Sequence, residues 1–109
     1  MEKAQIIQKL TNGSEKSWVK VGSSSDTADR KPGDRKYMFS KKEMTFSIWV
    51  CSSILKWECL ETYTWSLQYD IETRYTLFVN EKPCSFSFDR TLKFLTLKIY
   101  NWQIPITLK

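Results

Sequence analysis

The stretch of residues 56–69, KWECLETYTWSLQY, decides the fold class of this chain. Large and small side chains alternate along it, and one parity is occupied by Trp57, Cys59, Tyr63, Trp65, Leu67 and Tyr69. An alternation of period two is typical of a β-strand with one buried face, because successive side chains point to opposite sides of a sheet. The stretch is longer than an ordinary strand, so we expect a bend or a break within it.

The same alternation continues on both sides of this stretch. Further strands are predicted at residues 17–22, 35–40, 44–51, 74–79, 84–88, 92–100 and 103–108. The connections are mostly short and carry turn residues, as at 41–43 and 80–83. Short connections make sequential strands pair with each other in antiparallel order. The pattern therefore predicts an up-and-down meander of about eight strands.

Only the first residues depart from this period. The segment EKAQIIQKL at residues 2–10 places Ala4, Ile6, Ile7 and Leu10 on one helical face, and Asn12-Gly13 is a typical helix stop. Closure of an eight-stranded meander removes its exposed edges. We therefore predict an all-β single domain over residues 1–109, a small barrel with a short N-terminal helix in residues 1–13 and strands within residues 17–108.

Composition limits the function classes. The chain has 109 residues with 5 Trp, 5 Tyr and 6 Phe, which is enough for one small folded domain. It has no histidine, which excludes Ser-His-Asp and Cys-His catalysis and any His-ligated metal site. Its 3 glycines form no phosphate-binding loop, and its carboxylates show no convergence on a cleft. We expect a protein that is not an enzyme and has no cofactor.

The 3 cysteines, Cys51, Cys59 and Cys84, form no C-x-x-C motif and lack a fourth ligand for zinc. We expect no metal site. In an oxidising compartment one disulfide and one free thiol would fit the count. Buried free thiols in a reducing compartment fit it equally well, and we favour the interpretation as small core residues.

The net charge of +5 is spread along the chain and is densest at residues 30–42. A nucleic-acid module usually concentrates its bases and presents aromatics on an outward strand face. Only Tyr37 and Phe39 beside Lys36 match that pattern, so we do not expect a nucleic-acid partner. The first residues show no signal peptide, and no apolar run has the length of a transmembrane helix. We predict the cell envelope or secretion if a leader has been removed, and the cytoplasm otherwise.

Four stretches resemble small lipocalin-like proteins of Bacteroidetes. They are LTNGSEKSWVKV at 10–21, DRKYMFSKKEMTF at 34–46, ETYTWSLQYD at 61–70 and FDRTLKFLTLKIY at 88–100, and they cover most of residues 10–100. The most specific part is Gly13, Lys16 and Trp18, since a short helix leads through a Gly-Ser turn to a Lys-x-Trp strand in these proteins. The resemblance implies a lipocalin-like barrel and a binding role without a uniform activity.

Two functions compete on these residues. The first is a binding protein for a small apolar ligand, held inside or at the mouth of the barrel by Tyr37, Phe39, Trp57, Tyr63 and Trp65. The second is a protein-interaction module such as an inhibitor or immunity protein, with an exposed surface at Trp49, Arg35 and Lys36. Whether the barrel is open or filled by its own side chains decides between them. For Trp18 we expect core packing against the N-terminal helix.

Overall fold

A computed structural model of the chain describes residues 2–21, 30–72 and 74–109. Its elements are helix α1 (Lys3–Thr11) and the strands β1 (Glu15–Val19), β2 (Arg35–Ser40), β3 (Thr45–Cys51), β4 (Trp57–Asp70), β5 (Arg74–Val79), β6 (Lys82–Phe88), β7 (Leu95–Lys98) and β8 (Ile106–Leu108). The end of the first predicted strand at Gly22, most of the loop at 23–34 and Thr73 lie outside the described residues.

The eight strands form one sheet in the order β1 to β8, and each strand is antiparallel to the next. The predicted meander and the N-terminal helix are therefore confirmed. At the two edges, Val19 and Lys109 exchange backbone hydrogen bonds of 3.1 and 2.9 Å, and the Val21 N–H donates to the Thr107 carbonyl at 2.9 Å. Among residues 2–21, 30–72 and 74–109, one isolated bridge, between Lys20 and Leu108, accompanies these bonds. Within these residues the two edges meet without a ladder that would close the sheet.

The long strand β4 contains the predicted irregularity. Its partners across from Ile48 and Trp49 are Glu61 and Cys59, so Leu60 is an extra residue that forms a β-bulge. Because the bulge reverses the parity of the alternation, Trp57 lies on the sheet face opposite to Tyr63 and Trp65. The prediction that these three aromatics share one face is wrong for this reason.

The two halves of β4 also pair differently. Residues 57–64 pair with β3, whereas residues 65–70 pair with β5. β6 is divided in the same way, since residues 82–84 pair with β5 and residues 85–88 pair with β7. The sheet therefore curves through two strands that each change partner along their length. This places the inner faces of β2, β3 and β7 around one core.

That core is apolar and continuous. Its buried members are Ile6, Leu10, Trp18, Tyr37, Phe39, Phe46, Ile48, Trp65, Leu67, Leu77, Val79, Leu95, Leu97, Ile99 and Leu108. Most of them come from the apolar parity of the predicted strands. Burial of this much apolar surface is the main favourable term for so small a sheet.

One end of the sheet, here called the helix end, is covered by α1. The helix buries Ile6 and Leu10 and ends at Thr11. The next residue, Asn12, has a φ of 49°, the left-handed conformation common after a helix C-terminus. Trp18 is 0% exposed, and its Nε1–H donates to the Leu10 carbonyl at 3.0 Å. The ring also packs at 6.4 Å from Phe88. Core packing of Trp18 against the helix is thereby confirmed.

The last two strands are shorter than predicted. β7 begins at Leu95, and β8 begins at Ile106, after Pro105. A proline cannot donate to a ladder, which fits its place just before the strand. The residues in front of it, including Ile104 at 70% exposure, form a loop at the other end of the sheet.

The three thiols are free, and they differ in burial. Cys51 is buried and Cys84 is half-buried, as expected of small core residues. Cys59 is exposed, which corrects that expectation, because the bulge at Leu60 turns it to the outer face of β4. Its Sγ lies 3.3 Å from the Thr62 hydroxyl.

Candidate functional site: a cleft at the loop end

The end of the sheet opposite α1, here called the loop end, carries residues 30–34 and 99–105. Tyr37 on β2 connects this end to the core, because the residue is 8% exposed and belongs to the core cluster. The Trp102 ring meets the Tyr37 ring edge-on, with centroids 5.4 Å apart and planes at 70°. A T-shaped contact of this kind holds both rings in place. Two cavities open on either side of Tyr37.

The first cavity is apolar and has a volume of about 350 Å³. Its walls are Tyr37, Trp102, Gln103, Ile104 and Ile106. A turn holds the wall residues, since the Trp102 N–H donates to the Ile99 carbonyl at 3.0 Å. The volume is at the lower end of the range for small-molecule sites. We call this cavity the apolar compartment.

The second cavity is polar and has a volume of about 230 Å³. It shares Tyr37 and Ile106 with the apolar compartment and adds Lys20, Gly33, Asp34 and Arg35. Two cations therefore face one carboxylate, and the Asp34 Oδ2 already accepts the Lys31 N–H at 2.9 Å. We call this cavity the cationic compartment, and the two together the loop-end cleft.

The phenol of Tyr37 joins the two compartments. Burial raises the pKa of Tyr37, because the charged phenolate is poorly solvated there. The charge of the Arg35 guanidinium and its hydrogen bond to Tyr37 oppose that rise. The hydroxyl is therefore neutral at pH 7 and is held beside the guanidinium as a hydrogen-bonding group.

Two other predicted ligand residues, Phe39 and Trp65, lie in the core and not in the cleft. The Phe39 ring is 4.7 Å from the Phe46 ring and 5.5 Å from the Trp65 ring, centroid to centroid. The Trp65 Nε1–H donates to the Ser40 carbonyl at 3.0 Å. These three rings fill the part of the interior between β2, β3 and β4 with their mutual contacts.

Tyr63 stands on the rim of the loop end. Its hydroxyl donates to Glu61 Oε2 at 2.6 Å, and its ring meets Tyr100 at 6.4 Å. The hydrogen bond to a carboxylate favours the neutral phenol and raises the pKa of Tyr63 to about 12. Asn80 Nδ2 donates to the Tyr100 hydroxyl at 3.2 Å, and Lys82 Nζ lies 4.7 Å over that ring. These rim groups are engaged with each other.

Trp57, the fifth predicted ligand residue, lies on the outer face of the sheet with two of the predicted interface residues. Lys36 Nζ lies 4.7 Å from the Trp57 ring centroid and 5.3 Å from that of Trp49. Trp49 Nε1–H donates to Ser47 Oγ at 2.8 Å. We call Lys36, Trp49 and Trp57 the outer tryptophan surface. Arg35, the third predicted interface residue, is instead in the cationic compartment.

In the outer tryptophan surface, the Lys36 ammonium group is stacked on the rings of Trp49 and Trp57. Desolvation by burial lowers the pKa of Lys36; the charge of Glu15 opposes this shift, and that of Arg30 adds to it. A lysine between two indoles gains cation–π attraction that offsets part of the desolvation. The indole N–H of Trp57 is buried and has no hydrogen-bond partner among the described residues.

Sequence reasoning did not single out Lys20, Trp102 or Ile104 as ligand-binding residues. The only signal in the sequence was that Trp102 and Ile104 precede Pro105, where a strand pattern becomes a loop. Among residues 2–21, 30–72 and 74–109, no cluster of Cys, Asp and Glu has the composition of a metal site. In the same part of the chain, no helix is long and apolar enough to cross a membrane.

A further groove of about 330 Å³ lies at the helix end between α1 and Leu92. Its other walls are Ala4, Gln5, Gln8 and Lys9, and the long side chains of Gln5, Gln8 and Lys9 are flexible enough to cover it. It contains no aromatic side chain and one cation. The loop-end cleft has two aromatic side chains, Tyr37 and Trp102, and two cations in its lining, and it is therefore the better ligand site.

In comparisons with known proteins, no family model matched this chain, and no significant match was found among curated proteins or solved structures.

Proposed function

We propose that this protein is a lipocalin-like binding protein that holds a small apolar ligand at the mouth of its sheet, in the loop-end cleft. The observation that carries the proposal is the apolar compartment next to Tyr37, bounded by Trp102, Ile104 and Ile106. Exposed apolar walls around a cavity are typical of ligand sites. No catalytic residue is part of the proposal.

The proposed architecture is a small barrel whose interior is filled. The backbone hydrogen bonds between Val19–Val21 and residues 107–109 support closure, since they join the two ends of the meander. The contacts among Phe39, Phe46 and Trp65 support a filled interior. An eight-stranded barrel is only just wide enough for its own side chains. The mouth is then the place where a ligand fits without displacing core rings.

The proposal predicts that Ile104→Asp weakens the binding of a neutral apolar probe, Nile red, by about tenfold or more. Ile104 is exposed in the free protein, so the substitution leaves the core intact, but it places a charge in the wall that contacts the probe. Binding is measured from the blue shift and intensity of the probe's fluorescence as the protein is titrated.

Ile71→Asp is the matched control, because Ile71 is 87% exposed and lies in the turn after β4, away from the cleft. The same isoleucine-to-aspartate change there leaves the affinity unaltered. Equal affinities for the wild type and Ile104→Asp, or the lack of saturable binding to the wild type, would refute the proposed site.

The outer tryptophan surface supports the second candidate, a protein-interaction module. Tryptophans are enriched among residues that carry interface energy, and two of them flank Lys36 on the outer face. Lys36 adds a charged group between the two rings that can pair with an acidic side chain of a partner. Trp49→Ala would then abolish capture of a partner while leaving Nile red binding unchanged.

A further inference from the structure

We propose that the ligand of the loop-end cleft is an amphipathic monocarboxylate, whose carboxylate lies against Arg35 and Lys20 and whose apolar chain lies between Trp102 and Ile104. This inference rests on the proposed function and names the chemical class of its ligand. It follows from the fact that Tyr37 and Ile106 each line both the apolar and the cationic compartment, so that the two are adjacent.

The charges of the cationic compartment fit a single negative charge. Lys20 and Arg35 supply two positive charges, and Asp34 supplies one negative charge. The compartment therefore carries a net charge of about +1 at pH 7. A guanidinium presents parallel N–H donors that match a carboxylate in two-point contact. A dianion such as a phosphate monoester would leave one charge without a partner.

Tyr37 completes the anion site. Its neutral hydroxyl lies beside the Arg35 guanidinium and adds a hydrogen-bonding group without adding a repelling charge. Because Tyr37 belongs to β2 and its ring packs against Trp102, the sheet and this ring contact hold the phenol in place before a ligand binds. Groups positioned before binding lose little freedom when the ligand arrives.

The size of the apolar compartment favours a short apolar chain. Its volume of about 350 Å³ is at the lower end of the range for small-molecule sites. A straight chain of ten carbons is therefore chosen as the probe. The net charge of +5 on the whole protein favours the encounter with an anion over that with a neutral molecule.

The test compares decanoate with 1-decanol, both below the concentration at which decanoate forms micelles, by isothermal titration calorimetry of the full chain. The two probes share the chain length and differ in charge. Decanoate is expected to bind about tenfold or more tightly at low salt, because a hydrogen bond to a charged group has roughly that effect on affinity. Added salt should reduce this difference, since it screens the exposed charges.

Three variants separate the anion site from the rest of the cleft. Arg35→Gln should weaken decanoate binding by about tenfold and leave 1-decanol binding unchanged. Asp34→Asn should strengthen decanoate binding, a gain that a folding defect would not produce. Arg90→Gln is the control, because Arg90 is an exposed arginine in the turn between β6 and β7. It should change neither affinity.

The outcomes distinguish the two proposals. If 1-decanol binds as tightly as decanoate, or if Arg35→Gln affects both probes alike, the carboxylate class is wrong while the apolar site stands. If neither probe binds the wild type, the proposed function fails and the carboxylate inference fails with it. Preferential binding of decanoate that depends on Arg35 supports both.

Discussion

Replacement of Trp18 with alanine is expected to lower the free energy of unfolding by about 3–5 kcal/mol. The indole is fully buried between α1 and the strands, and it donates a hydrogen bond to the Leu10 carbonyl. Alanine would leave a cavity at the helix end and a carbonyl without its partner. Helix α1 is short, so its stability depends on this docking. Urea denaturation followed by circular dichroism measures the change.

Two further variants show whether the loss comes from the ring, from its N–H donor or from the removal of any tryptophan. Trp18→Phe keeps most of the ring but removes the N–H donor, and we expect an intermediate loss of about 1–3 kcal/mol. Trp49→Ala removes the same side chain from the outer face, where the indole is only half-buried, and the loss should be smaller. A midpoint for Trp18→Ala that matches the wild type would show that Trp18 does not hold α1 to the sheet.

Phe39→Ala is expected to cost a similar amount, about 3–5 kcal/mol, because it removes a ring at the centre of the filled interior. Phe39 is 0% exposed and contacts both Phe46 and Trp65. The variant should nevertheless bind Nile red as the wild type does at temperatures where it is folded, since Phe39 does not line the loop-end cleft. Thermal denaturation gives the stability, and fluorescence titration gives the affinity.

The matched control is Phe94→Ala, since Phe94 is 37% exposed and its removal leaves no enclosed cavity. Its effect on stability should be well below that of Phe39→Ala. A folded Phe39→Ala variant that no longer binds the probe would place the ligand inside the sheet, as the sequence pattern first suggested for this residue. That result would overturn the filled interior.

The strands could be predicted because their signal is local. In β2, for example, Tyr37 and Phe39 alternate with Lys36 and Met38, and the strand has the predicted bounds of 35–40. Strand order also followed from the sequence, because short turns leave neighbouring strands no other partner. At the turn of Asn80 and Glu81, both residues have a positive φ, as a two-residue hairpin turn requires.

At the bulge in β4, the alternation of side chains no longer predicted which face of the sheet each residue lies on. One extra residue, Leu60, moved Trp57 and Cys59 to the outer face and separated them from Tyr63 and Trp65. It also placed Glu58 and Glu61 on one face, opposite Val50 and Ile48, where strict alternation predicts two faces. Bulges depend on how two strands fit together, so the residues of one strand do not determine them.

The loop-end cleft could not be predicted from the sequence for a similar reason. Tyr37 and Arg35 were recognised as functional candidates, one for a ligand and the other for an interface. Their joint role in one cleft depends on Trp102 and Ile106, which are far away in the sequence. Such long-range packing follows from the path of the loop between β7 and β8. The alternation of apolar residues along a strand carries no information about it.

A ligand at the loop end would change the surroundings of one of the five tryptophans, and the five indole N–H groups therefore report on its position directly. In ¹H–¹⁵N spectra of the ¹⁵N-labelled chain titrated with decanoate, we predict that the Trp102 indole signal shifts in a saturable manner. The indole signals of Trp18 and Trp65 in the core, and of Trp49 and Trp57 on the outer face, should stay in place. Shifts at Trp65 with none at Trp102 would locate the ligand in the interior and contradict binding at the loop end.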